Sequence, residues 1–110
     1  VPKLCNIDVE RRKEILKELK EFVRGLKKKL PVQSVYLYGS FARGEIHEGS
    51  DIDLLIVADI PGRIFERIGK VLELTDLPIE PLVYTQDQFE RMKSSKNPLI
   101  MEVLKTGKVL

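Results

Sequence analysis

At 110 residues and 43% hydrophobic content, the chain reads as a single domain, residues 1–110, able to bury a core. One cysteine, no apolar run of the roughly 18 residues that span a bilayer, and a charged start without a leader's apolar core argue against an internal disulfide and a membrane protein; a reducing, cytoplasmic setting is expected. The net charge of +2 is uneven, with ten Lys+Arg against five Asp+Glu in residues 1–33 and nine against twelve thereafter, and this balance, with no Trp and few aromatics, speaks against a nucleic-acid binder.

The first helix is predicted from about Val9 to Lys29, with Asp8 as N-cap. Ile15, Leu16, Leu19, Phe22, Val23, Leu26 and Leu30 recur at three- and four-residue spacing and form one apolar stripe. Lys27, Lys28 and Lys29 complement the helix dipole, and Pro31 blocks continuation. The basic face of this helix could contact a partner or a polyphosphate, but a solvated face is the simpler account of it. Val35–Tyr38 reads as a strand ending at Gly39-Ser40, and residues 40–43 fit a short helical turn. Gly44 and Gly49 bracket a polar loop that carries the only histidine, His47, expected in solvent; one Cys and one His make no zinc site. A second strand covers Asp51–Val57, antiparallel to the first across that loop. A helix over Gly62–Leu74 follows, with Ile64, Phe65, Ile68, Val71 and Leu72 as its buried side. It leads to a strand over Ile79–Tyr84, parallel to the second by a right-handed crossover, so the sheet is mixed. Pro81 assigns this third strand to an edge or a bulge. Thr85 and Gln88 fit a capping box for a short helix to about Lys93. Asn97-Pro98 opens a last helix with apolar Leu99, Ile100, Val103 and Leu104, closed by Gly107.

The chemistry concentrates in Tyr38-Gly39-Ser40-Phe41-Ala42-Arg43-Gly44, then Ser50-Asp51-Ile52-Asp53. Side chains alternate along a strand, so Asp51 and Asp53 share one face, about 7 Å apart, while Ile52, Leu54 and Ile56 take the other. Two carboxylates so placed repel unless a cation lies between them. Magnesium, a hard cation, takes carboxylate and phosphate oxygens, and two such ions about 4 Å apart clamp both oxygens of a phosphoryl or nucleotidyl transfer. Gly39 permits a tight turn and close approach to a ligand. Ser40 offers a hydroxyl and an N–H, free N–H groups of a helical turn face an anion, and Arg43 adds a charge suited to phosphate.

Gly39-Ser40 followed by Asp51-x-Asp53 resembles the signature of the DNA polymerase β-like nucleotidyltransferase superfamily. The wording Gly-Ser-Phe-Ala-Arg-Gly is most similar to its minimal nucleotidyltransferases, over a stretch from about Val35 to the C-terminus. The resemblance implies an α/β (α+β) fold, a small mixed β-sheet flanked by helices. It implies that Gly39 and Ser40 bind the triphosphate and that Asp51 and Asp53 bind magnesium; on chemical grounds two ions are expected, with Arg43 as a further phosphate contact. A third acid on a later strand is usual in that family. The candidate is Glu80, as metal ligand or as base for the attacking hydroxyl; it is one methylene longer than the customary Asp.

The implied reaction is a magnesium-dependent transfer of a nucleoside monophosphate, AMP from ATP or another NTP, to an acceptor hydroxyl. Only two short helices follow the core, which leads to the expectation that a separate protein presents the acceptor. Minimal members often pair with a small helical partner of the HEPN class, as antitoxin to its toxin. The alternative is a binding or scaffold module of the same fold, catalytically weak, that neutralises a partner.

Overall fold

The computed structural model describes residues 2–44 and 52–110, with side chains from residue 11 onward. Its elements are α1 (Pro2–Lys29), β1 (Val32–Tyr38), α2 (Gly39–Ala42), β2 (Ile52–Ala58), α3 (Ile64–Leu72), β3 (Ile79–Tyr84), α4 (Gln86–Ser94), α5 (Pro98–Thr106) and β4 (Lys108–Val109). The four strands lie in the order β3-β2-β1-β4. β1 is antiparallel to β2 and β4, and β2 is parallel to β3, so the sheet is mixed as the loop lengths imply. Pro81 sits on β3, an edge of this sheet, where a missing N–H breaks no ladder.

Alternation along the strands builds two cores. On one face Val35, Leu37, Ile52, Leu54, Ile56 and Val83 meet Leu19, Val23 and Leu26 of α1 and Val71 of α3. On the other, Leu55 and Val57 pack with Phe89 of α4 and Ile100 and Val103 of α5, flanked by Tyr36, Tyr38, Leu82 and Tyr84. The Tyr36 and Phe89 rings stack with centroids 5.9 Å apart. From Leu54 to Ala58 every β2 side chain is buried, which is why that segment reads as an unbroken apolar run.

The capping signals translate directly into contacts. The Gln88 N–H donates to Thr85 Oγ1 at 3.2 Å, and the Thr85 N–H donates to Gln88 Oε1 at 3.0 Å. Asn97 Oδ1 accepts from the N–H groups of Leu99 and Ile100 at 3.0 and 3.3 Å. A Cβ on Gly107 would strike the Val103 carbonyl and lie 3.2 Å from that of Leu37. The bare backbone there lets the chain leave α5 and lie along β1 as β4, a two-residue strand too short to announce itself in sequence.

Three expectations are corrected. α1 starts at Pro2 and runs through Asp8, so Asp8 is not its N-cap; proline suits a first helical position, and Lys3 to Ile7 contain no breaker. α3 occupies Ile64–Leu72, shorter than Gly62–Leu74, because Gly62 has φ +103° and cannot begin a helix. Phe65 is 82% exposed and Leu72 43%, and Leu104 of α5 is also exposed. A nine-residue helix on a sheet covers one narrow stripe, here Val71, buried, with Ile64 and Ile68, half-buried, and Phe65 and Leu72 lie about 100° round from it.

Arg67 shares that buried side and is only 4% exposed. Its Nε donates to the Val83 carbonyl at 3.1 Å, Nη1 to that of Gly62 at 2.6 Å, and Nη2 to Gln88 Oε1 at 3.0 Å. One guanidinium thus ties α3 to β3 and to the start of α4. Replacing Arg67 by Met removes the side-chain donor from the Val83 and Gly62 carbonyls, at about 1–3 kcal/mol for a buried acceptor, while Gln88 Oε1 keeps the Thr85 N–H. Urea unfolding of Arg67→Met is expected to show a loss of about 3 kcal/mol, against a few tenths for the exposed Arg63→Met.

Candidate active site

Three strands deliver one row of polar side chains. In register, Tyr38 at the end of β1 faces Asp53 near the start of β2, and Asp53 faces Glu80 near the start of β3. Cross-strand partners project to the same side of a sheet, with strands about 4.8 Å apart. Tyr38, Asp53 and Glu80 therefore stand side by side on the face that carries α4 and α5. Asp53 and Tyr38 are half-buried, and Glu80 is exposed.

β1 ends in a turn that brings the backbone onto this row. Gly39 has φ +76°, in the left-handed region that favours glycine. A Cβ there would collide with Asp53 Oδ2 and lie 3.2 Å from Asp53 Cγ. The Gly39 backbone thus abuts the Asp53 carboxylate with no room for a side chain. Ser40, half-buried, follows in the single turn of α2, and the Arg43 N–H closes that turn on the Gly39 carbonyl at 3.2 Å.

The turn is anchored from below. Phe41 and Ala42 are buried in the α1-side core. Arg12 of α1 donates from Nη2 to the Phe41 carbonyl at 3.3 Å, and its guanidinium carbon lies 5.5 Å from the Phe41 ring centroid. Arg12 escaped the sequence reading. Its signal was an arginine three and four residues before Ile15 and Leu16, on the apolar stripe of α1. Arg43, exposed at the end of the turn, pairs with Glu102 of α5, Nη1 to Oε1 at 3.9 Å. Nothing local to α5 marks Glu102, because only the docking of α5 brings it here.

Of the sequence candidates, Gly39, Ser40, Arg43, Asp53 and Glu80 are gathered at one end of the sheet. Asp51 lies outside the described residues, as do His47 and Gly49. Among the described residues no group of three or more His, Cys, Asp or Glu side chains is arranged to hold a metal ion. Asp53 and Glu80 are adjacent carboxylates, an all-oxygen donor pair that fits a hard cation such as magnesium.

Burial pushes the Tyr38 phenol up to about 12, and the charges of Asp53, Glu80, Tyr84 and Glu102 add to the shift. A folded-state pKa above the unfolded one means that the native protein holds this proton more tightly. Stability linked to Tyr38 is whole below about pH 10 and falls as pH climbs from there towards 12. Ultraviolet titration of the metal-free protein is expected to show a late phenolate step near pH 12 that moves down in Asp53→Asn and is absent in Tyr38→Phe. Gly39→Ala combines left-handed strain with displacement of the Asp53 carboxylate. Chemical denaturation should register a loss of about 1–3 kcal/mol.

With this geometry in hand, the chain can be set beside known proteins. Residues 13–109 match the family described as nucleotidyltransferase domain. A Methanocaldococcus jannaschii protein named "Putative protein adenylyltransferase MJ0604" is 35% identical over 97 residues, covering 86% of this chain and 95% of the relative. A crystal structure of a "putative nucleotidyltransferase" from Sulfolobus solfataricus superposes with TM-score 0.63 at 29% identity, over 76% of this chain and 78% of that one. A structure titled "Crystal structure of the toxin-antitoxin with AMP-PNP" shares the fold with TM-score 0.55 at 22% identity, over 82% of this chain and 69% of its own. The architecture is the polymerase β-like nucleotidyltransferase fold, and the chain belongs to the nucleotidyltransferase domain family as an enzyme of that class.

Proposed function

We propose that the protein moves a nucleoside monophosphate, AMP from ATP or another NTP, onto a hydroxyl of a partner protein. The observation that carries this reading is the contact between the Gly39 turn and the Asp53 carboxylate, with Glu80 next in register. A phosphate-binding turn and a cation-binding strand touch there, as the transfer requires.

In this reading Gly39, Ser40 and Arg43 grip the triphosphate, the first by its open backbone and the last by its guanidinium. Asp51, Asp53 and Glu80 would hold magnesium. When bound, magnesium would screen the polyphosphate charge and stabilise the charge that develops on the attacking and leaving oxygens. Glu80, exposed at the sheet edge, accepts the proton of the acceptor hydroxyl. The hydroxyl oxygen forms a bond to the α-phosphorus, the bond from that phosphorus to the β-bridging oxygen breaks, and pyrophosphate leaves with the electron pair. Asp53, half-buried against Gly39, keeps the metal end and the phosphate end of the site in fixed relation.

A protein acceptor is favoured by what two similar proteins are named for. The M. jannaschii relative is named for protein adenylylation, and the fold neighbour is a toxin–antitoxin structure with AMP-PNP. The partner proposed is a small helical protein of the HEPN type, with this chain as the antitoxin-like half. No helix among the described residues is long and apolar enough to cross a membrane.

The decisive experiment isolates the protein with its partner from the source cell and weighs the partner. An added mass of one AMP, absent when Asp53 is Asn, is the expected result. Losing a carboxylate that holds the metal removes several kcal/mol of charge stabilisation, so transfer should fall by about a hundredfold or more. Chelation should stop transfer and magnesium restore it. A partner that stays neutralised and carries no added mass would show a binding module instead.

A further inference from the structure

Arg43 is held from across the site. Its Nη1 lies 3.9 Å from Glu102 Oε1, with the two side chains 47% and 54% exposed. Glu102 is no wandering surface residue. Ile100 and Val103 on either side of it are buried in the α5-side core, and Asn97 caps the helix that carries it. Its charge also reaches Tyr38, in company with those of Asp53 and Glu80, so it belongs to the same acidic end of the sheet.

We propose that Glu102 is a positioning residue that holds Arg43 over the mouth of the site and competes with polyphosphate for it, so that nucleotide binding exchanges one anion for another on the same guanidinium. The inference rests on the reading of Gly39, Ser40 and Arg43 as the triphosphate end. It adds a specificity element on α5, an element outside the motif.

Removing the Glu102 charge has two effects of opposite sign. Losing the tether on Arg43 weakens nucleotide binding. Losing the competing anion strengthens it. The tether is a long, half-exposed ion pair, and such pairs hold weakly. The competition acts on a polyanion carrying several charges, and each of them is repelled by a carboxylate beside the same guanidinium. The second effect therefore wins. The exchange also sorts ligands. A polyphosphate offers paired oxygens to the guanidinium fork and displaces Glu102, whereas a monophosphate has less charge with which to do so.

Calorimetric titration of purified protein with Mg·ATP and with AMP tests this. Glu102→Gln should bind Mg·ATP about three- to tenfold more tightly than wild type. Glu102→Asp, which keeps the charge, should remain within about twofold of wild type. The gain in Glu102→Gln should shrink when salt is raised from about 0.1 to 1 M, as the screening length falls from about 10 to 3 Å. It should also shrink when Arg43 is Gln, because the shared cation is gone. The preference for Mg·ATP over AMP should narrow in Glu102→Gln. Equal or weaker Mg·ATP binding by Glu102→Gln, or a gain unchanged by Arg43→Gln, overturns the proposal. Wild-type protein that binds no Mg·ATP at all overturns the triphosphate site itself, and this proposal with it.

Discussion

The close approach of a bare backbone to a carboxylate, Gly39 against Asp53, is the constraint on which the rest of the site depends. It requires a left-handed residue without a side chain at the end of β1. It also requires that β1 and β2 run antiparallel in a register that sets Tyr38 opposite Asp53. Strand register is what places the acids. A slip of one residue in β2 would turn Asp53 into the α1-side core and bring Ile52 and Leu54 out. Ile52, Leu54 and Ile56 prevent that slip, because their burial beneath α1 and α3 is lost if the strand moves. The hydrophobic alternation that builds the core is therefore the same pattern that aims the acidic side chains.

Stability and chemistry occupy different ends of one sheet. β2 is buried on both faces from Leu54 to Ala58, and polarity returns only at Asp53, where α4 and α5 no longer cover the strand fully. At the well-covered end the buried polar side chain among the described residues is Arg67, and each of its three guanidinium nitrogens donates a hydrogen bond. At the other end the strands gather carboxylates instead. Asp53 and Glu80 are adjacent across a strand pair, and Glu102 approaches from α5. Like charges gathered this way cost stability unless a cation joins them. The protein has cations on both sides of the α2 turn, Arg12 beneath Phe41 and Arg43 above, and they serve different ends. Arg12 is half-buried and fixes the turn to α1, whereas Arg43 is exposed and pairs with Glu102.

The sequence by itself determined most of the local structure and singled out the candidate residues of the motif. Apolar spacing marked α1, alternation and aromatic content marked β1, and turn and cap residues marked both ends of α4 and the start of α5. These signals are legible because each depends on neighbours three or four positions away, within reach of one backbone segment. Loop length was enough to decide which strands run parallel, since a hairpin and a helical crossover need different amounts of chain. Gly39, Ser40, Arg43 and Asp53 stood out because their residue types suit a polyphosphate and a hard cation and are seldom combined by chance.

Tertiary structure decided what no short window contains. The setting of Glu80 beside Asp53 follows from the register of two parallel strands joined by a helix. The roles of Arg67, Arg12 and Glu102 depend on which elements dock against one another, and an arginine or glutamate on a helix reads as surface until that docking is known. The exposure of Phe65 and Leu72 has the same origin. Helical spacing says which residues share a side, but a short helix on a sheet covers only one stripe, and the sheet chooses it. Gly107 read as a helix terminator, yet its lack of a side chain matters because β4 must pass close to the Val103 and Leu37 carbonyls. Periodicity is a property of the chain, whereas register and docking belong to the assembled fold, and the site is assembled from the latter.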